Sequence, residues 1–237
     1  MWKCCVLVSV CIICGLFLTA VSEAQDEPEK TPYELVMEKL ETLVPGDAID
    51  VRMGTEKDEY NLDEPFEVRF QVSEDCYIVL MDIGAATQKE DELVYGDITF
   101  LIPSFKLTEN KVEGGRVYST LYDFDLPIKV APPDGYETVN LFCSPEKLDL
   151  FDADFDTEKV YTVTPDDTEK LQKLLERLER LEKQEWAGSS VSFLIRDPEK
   201  GITRGVKKFG ALPPIGATGT TGKFFPPIGA TGTTGKQ

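Results

Sequence analysis

Phe66, Val68, Phe70 and Val72 alternate with Glu67, Arg69 and Gln71. A period of two marks a strand with one buried face. Ile49, Val51 and Met53 alternate in the same way just before it. Cys76 to Ile83 is almost continuously apolar, as a central strand buried on both faces would be. Leu93 to Ile102 reads as the next strand, after a polar insertion at 87–92. Gly114-Gly115 turns the chain into Val117 and Tyr118. Leu126 to Val130 and Tyr136 to Cys143 read as a strand pair around the turn Pro132-Pro133-Asp134-Gly135. Lys159 to Val163 reads as a short strand, and Val191, Phe193 and Ile195 as the last one.

Two stretches change period from two to 3.6. Val36, Leu40 and Leu43 form an apolar stripe that opens at Thr31-Pro32-Tyr33-Glu34 and stops at Pro45-Gly46. Thr31 can cap, Pro32 suits the first helical position, and Glu34 can complete a capping box. The second helix is predicted over 165–185, opened by Thr164-Pro165-Asp166-Asp167, with Leu171, Leu174, Leu175, Leu178 and Leu181 on one face. Two heptads are too few to argue a coiled coil, so this face is assigned to packing on the sheet. Many short strands with frequent turns predict a mainly β fold, an Ig-like antiparallel β-sandwich with one N-terminal and one C-terminal helix.

Both ends differ from this body. Lys3 precedes an apolar run from Cys4 to Val21, and Ser22-Glu23-Ala24 supplies small residues at −3 and −1. This predicts a signal peptide over 1–24 cleaved between Ala24 and Gln25. An uncleaved anchor is the competing reading, because a run of about 18 apolar residues approaches the spanning minimum. Ile13 before Cys14 and Val10 before Cys11 argue against a lipoprotein signal. At the other end, Pro213 to Lys223 recurs as Pro226 to Lys236, an 11-residue copy at a period of 13. Gly, Thr and Pro in such a repeat build no core, so 197–237 is predicted to be a disordered tail. The organisation expected is 1–24 signal, 25–45 linker and short helix, 46–196 β-sandwich domain, and 197–237 tail.

Composition narrows the chemistry. The 237-residue chain contains no histidine, which excludes Ser-His-Asp and Cys-His catalysis and His-ligated zinc. Four of the six cysteines lie in the leader. Cys76 and Cys143 remain, and two readings stand for them: a disulfide in an exported protein, or a pair of buried free thiols. The formal charge is −18. Residues 201–237 hold Arg204, Lys207, Lys208, Lys223 and Lys236 with no acid, and Lys3 cancels Glu23, so residues 25–200 carry −23. Such a body repels nucleic acid, and a nucleic-acid partner is not expected.

The ordered features resemble the family catalogued as domain of unknown function 4384. They are a Tyr60 turn into an alternating strand, Cys76-Tyr77 leading an apolar strand, and Leu101-Ile102-Pro103. Asn110-Lys111-Val112 before Gly114-Gly115 follows, then Gly135-Tyr136-Glu137, a strand closing in Ser144-Pro145, and Trp186 ahead of Val191 to Ile195. The resemblance covers about residues 46–196, and the insertion at 87–92 departs from it. It implies an exported or envelope-associated bacterial β-sandwich accessory domain and supplies no catalytic residues.

Shorter motifs fail on inspection. Ala217 to Lys223 approaches a phosphate-binding loop, but Phe224 follows where Ser or Thr should hold magnesium, and no strand or helix flanks it. Nucleotide binding is not expected. Leu212-Pro213-Pro214-Ile215-Gly216 lacks the Thr of a sortase signal. Asp152, Asp154 and Asp156 begin like a calcium loop, but Thr157 and Val163 stand where Gly and Glu are needed. No cofactor or metal is expected. With 43 acidic residues, proximity of two carboxylates is not diagnostic of glycoside hydrolysis.

The function expected is a non-catalytic exported interaction domain, periplasmic or extracellular, whose partner is a protein or a cell-envelope component. A membrane contact is expected only if the leader is uncleaved. The loops 87–92, 103–115 and 145–158 are the expected contact surfaces, and the basic tail a tether or sticker. The alternative is a carbohydrate-binding module, with an exposed stacking pair among Trp186, Tyr118, Tyr122 and Tyr136.

Overall fold

The computed structural model describes residues 30–89, 92–104, 109–151 and 160–199. Its elements in chain order are α1 (Pro32–Thr42), β1 (Val51–Thr55), β2 (Glu59–Asn61), β3 (Pro65–Phe66), β4 (Val68–Val72) and β5 (Cys76–Ile83). There follow β6 (Thr87–Lys89), β7 (Glu92–Val94), β8 (Ile98–Ile102), β9 (Lys111–Val112) and β10 (Val117–Ser119). The chain continues through β11 (Ile128–Lys129), β12 (Gly135–Ser144), β13 (Tyr161–Val163), α2 (Thr168–Leu181) and β14 (Ala187–Arg196). The fold is mainly β, with several antiparallel sheets and two helices.

The largest sheet has the order β13-β8-β5-β12-β14-β2, with β9 also pairing β5. Only the β14–β2 contact in it is parallel. A three-stranded sheet β1-β4-β10 and a two-stranded sheet β11-β3 are separate from it, as is the hairpin β6-β7.

Strand alternation sorts the core into two clusters. Val79, Met81 and Ile83 of β5 join Phe100, Phe142, Trp186 and the apolar stripes of α1 (Val36, Leu40) and α2 (Leu171, Leu174, Leu178, Leu181). The opposite face of β5, Cys76, Ile78 and Leu80, joins Val139, Leu141, Cys143, Val191 and Phe193. That second cluster also takes Met53, Val68, Phe70, Val72 and Tyr118 from the three-stranded sheet, and Phe66. The largest sheet is thus covered on both faces, as the apolar run of β5 requires.

The capping box of α1 forms as the sequence indicates: Glu34 N–H donates to Thr31 Oγ1 at 3.2 Å, and Thr31 N–H donates to Glu34 Oε2 at 2.8 Å. The second helix departs from expectation at both ends. It starts at Thr168, because Asp167 is the cap and accepts from Lys170 N–H at 3.1 Å. Residues 164–167 form a turn instead, with Asp167 N–H donating to Thr164 O. It stops at Leu181 rather than Glu185, since the chain must turn to bury Trp186, 3% exposed, at the start of β14.

Three strand expectations are corrected. Leu126 to Val130 does not pair with Tyr136 to Cys143. Within it, β11 pairs with β3, and β12 runs for ten residues between β14 and β5. A strand buried nearly throughout needs long neighbours on both sides, which the two residues of β11 cannot supply. The stretch Leu93 to Ile102 is broken at Tyr95-Gly96-Asp97 into β7 and β8. There Gly96 crosses Gly84 so closely that a Cβ on Gly96 would lie 2.4 Å from the Gly84 carbonyl carbon. The run Phe66 to Val72 is divided at Glu67 between two sheets, although its alternating burial is kept. Among the described residues, no helix is long and apolar enough to cross a membrane.

Candidate functional site

The ladder between β5 and β12 carries an unusual pair of side chains at each end. Cys143 lies opposite Ile78, and Asp82 opposite Val139. Cys76 is two residues before Ile78, and Glu137 two residues before Val139. Both pairs, Cys76–Cys143 and Asp82–Glu137, are therefore diagonal neighbours of the same sense, so one direction of sheet twist serves both. By alternation all four belong to the face that carries Ile78, Leu80 and Leu141.

At the cysteine end the structure holds two buried free thiols. Their strands, β5 and β12, are neighbours, as a disulfide would require. The Cys143 thiol is held above its ordinary range by its hydrogen bond to Cys76 and by burial, while the same bond lowers Cys76. Diagonal positions typically separate Cα atoms by about 7–8 Å, and a disulfide across more than about 7 Å requires backbone movement.

At the acidic end, burial pushes Asp82 well up, reinforced by the charge and hydrogen bond of Glu137. Burial likewise raises Glu137 to about 7. Glu137 is 7% exposed. Asp82 Oδ1 is shut off from solvent without a hydrogen-bond partner.

A third feature is on the surface. Tyr122 is 68% exposed, and Val117 and Leu121 are exposed beside it in sequence. The turn that presents them is tied down on both sides. Thr120 N–H donates to Val68 O, and Val68 N–H donates to Thr120 Oγ1. Phe124 stacks on Phe70 at 5.9 Å. Asp123 Oδ2 accepts from Ser119 N–H at 2.8 Å, closing part of the free edge of β10. A shallow depression of about 170 Å³ lies on the same small sheet, lined by Asp50, Arg52, Gln71, Val72, Ser73 and Gly115. Among the described residues no group of three or more His, Cys, Asp or Glu side chains could hold a metal ion.

Other expected site residues fall elsewhere. Trp186 is buried against Phe142 at 5.7 Å, and Tyr118 is buried, stacked on Phe70 at 5.5 Å. Neither is available to stack on a sugar, whereas Tyr122 is exposed and Tyr136 half-buried. Among the described residues of the expected contact loops, 87–92 includes β6 and the first residue of β7, 103–115 includes β9, and 145–158 buries Leu148 and Leu150. The Ala24–Gln25 cleavage site, Asp152, Asp154 and Asp156, and the tail motifs at 212–216 and 217–223 lie outside the described residues.

Sequence reading missed Asp82 and Glu137. The signal was present: each continues a period-two apolar series, Cys76-Ile78-Leu80-Asp82 and Glu137-Val139-Leu141-Cys143. An acid in step with a buried face turns inward with it, which leaves Glu137 buried and Asp82 half-buried.

No family model and no curated protein matches the chain. A solved structure that resembles part of it is Spo0M, a sporulation control protein from Bacillus subtilis. The two share 16% identity with a TM-score of 0.25, over 42% of this chain and 44% of that one. The match spans less than half of either chain, and so low a score carries no functional argument.

Proposed function

We propose that this chain is a non-catalytic, exported interaction domain, built as an Ig-like β-sandwich and related to domain of unknown function 4384. It acts outside the cytoplasm, in the periplasm or beyond, on a protein or cell-envelope component. The observation that carries this reading is the anchored turn at Leu121 and Tyr122. Large apolar side chains held out on a rigid turn gain little from folding and much from a partner. Tyrosine is among the residues enriched at such contacts because it adds apolar area with little loss of rotamer freedom.

The titratable pair favours a binding role over catalysis. Glu137 is buried and Asp82 half-buried, and neither lines the depression on the small sheet. A general acid must reach the proton it transfers. The carbohydrate-binding alternative loses Trp186 and Tyr118 from its four aromatics and falls behind.

The test is capture of envelope components by residues 25–237 and by residues 25–200, side by side. Equal retention is expected, with the site on the folded domain. Retention by the longer form alone would assign binding to the basic tail and overturn the reading.

A further inference from the structure

Among the described residues, β10 ends its sheet, with β4 on one side and no strand on the other. Thr120 N–H donates to Val68 O, and Tyr118 opposite Phe70 is in phase with that bond. Backbone groups alternate sides along a strand, so those of Val117 and Ser119 point to the outer edge. Ser119 has both of its groups taken by the turn: its N–H donates to Asp123 Oδ2 at 2.8 Å, and its O accepts from Asp123 N–H at 3.0 Å. The N–H and C=O of Val117 remain as the open pair of this edge.

Other surface features line up with that pair. Leu121 and Tyr122 are exposed just past Ser119. In the other direction, Val117 stands opposite Gln71, which lines the shallow depression together with Gly115. Gln71 Nε2 donates to Gly115 O at 2.8 Å and fixes that end. Val117 to Gly115 is roughly 7 Å of extended chain. Apolar turn, open backbone pair and depression thus follow one another along one strand edge.

A second copy of the chain is a poor occupant. It would set −23 against −23 over residues 25–200. Three exposed apolar side chains also fall far short of the about 20–30 residues that a standard interface places on each side. The nearby ion pairs are balanced: Arg116 with Asp123, Arg69 with Glu67, and Arg52 with Asp50. What remains is the field of the acidic body, which draws in cationic partners.

We propose that the edge of β10 accepts a short, extended, net-basic segment of a partner protein as an added strand, bonded at Val117 and with an apolar side chain against Leu121 and Tyr122. The proposal rests on the reading of this turn as the binding surface. Main-chain bonds supply affinity, and the turn at 120–123 stops the added strand and sets its register.

The probe is a short blocked peptide of alternating valine and lysine, added to the full chain, with a valine–glutamate peptide as control. Amide exchange is read residue by residue. Exchange at Val117 should slow by about tenfold when the lysine peptide is at about ten times its dissociation constant, and less as salt is raised. The glutamate peptide should leave it unchanged. No slowing at Val117, or equal slowing by both peptides, would overturn the proposal. Capture of envelope components separates it from the reading beneath it. Val117→Pro removes the edge donor where an edge strand tolerates proline and leaves Leu121 and Tyr122 in place. Capture kept by a Val117→Pro chain with the parent's unfolding midpoint, but lost by Leu121→Asp, Tyr122→Ala, would overturn the added strand alone. Capture kept by both would overturn the binding surface as well, and loss in both is expected. Should Val117→Pro unfold, the exchange measurement on the parent chain decides by itself.

Discussion

Glu137 stands among Val139, Leu141 and Cys143 on a face otherwise built for burial. Its position has a thermodynamic consequence. The unfolded carboxyl titrates near about 4, whereas burial raises the folded one to about 7. Between those values the native state holds more protons than the unfolded chain, so stability falls as pH rises through that window. The accumulated loss is on the order of 3 kcal/mol. Glu137→Gln, which cannot ionise, should flatten the profile and exceed the parent chain in stability above the window. Urea unfolding across pH measures this, and parallel profiles would contradict it. At the other end of the same ladder, Cys76 and Cys143 are buried thiols on a diagonal. In the chain without its leader, both should resist a water-soluble thiol reagent until unfolded. A mass lower by a pair of hydrogens would show instead that the strands had shifted to bond them.

The strands and helices were legible in the sequence where one period dominated. The eight-residue β5 was read at its observed bounds, because an unbroken apolar run has few other uses. The α1 cap was legible because Thr31, Pro32 and Glu34 each act locally. Pairing was not legible. Nothing in Leu126 to Val130 says that it meets Phe66 rather than the strand following it in sequence, since that choice depends on which long strands flank β12. The break before β8 was missed because its cause is a distant contact, Gly96 against Gly84. That contact makes a strong prediction. In Gly96→Ala the new methyl would lie 2.4 Å from the Gly84 carbonyl carbon and 2.5 Å from its oxygen, with backbone on both sides unable to yield. A loss of about 1–3 kcal/mol is expected from overpacking alone, checked by thermal or urea unfolding. Unchanged stability would mean the two glycines do not cross as described.

At the scale of the molecule, interior and surface divide the work. Helices cover one face of the largest sheet and the small sheets cover the other, which consumes Trp186, Tyr118 and most large apolar side chains among the described residues. Against a body carrying −23 over residues 25–200, the exposed Val117, Leu121 and Tyr122 stand apart. The sequence marked Tyr122 only as one of four candidate stacking aromatics and did not single out Leu121, because apolar residues in a turn resemble core until their neighbours are known. Phe124 and Tyr118 go inward from the same segment that sends Leu121 and Tyr122 out. Binding is proposed for this turn, and the direct measurement is capture of envelope components by the parent chain and by a Leu121→Asp, Tyr122→Ala variant, each first shown to unfold with the same midpoint. Loss of most of the captured material is expected in the variant. Undiminished capture by a variant of equal stability would contradict it.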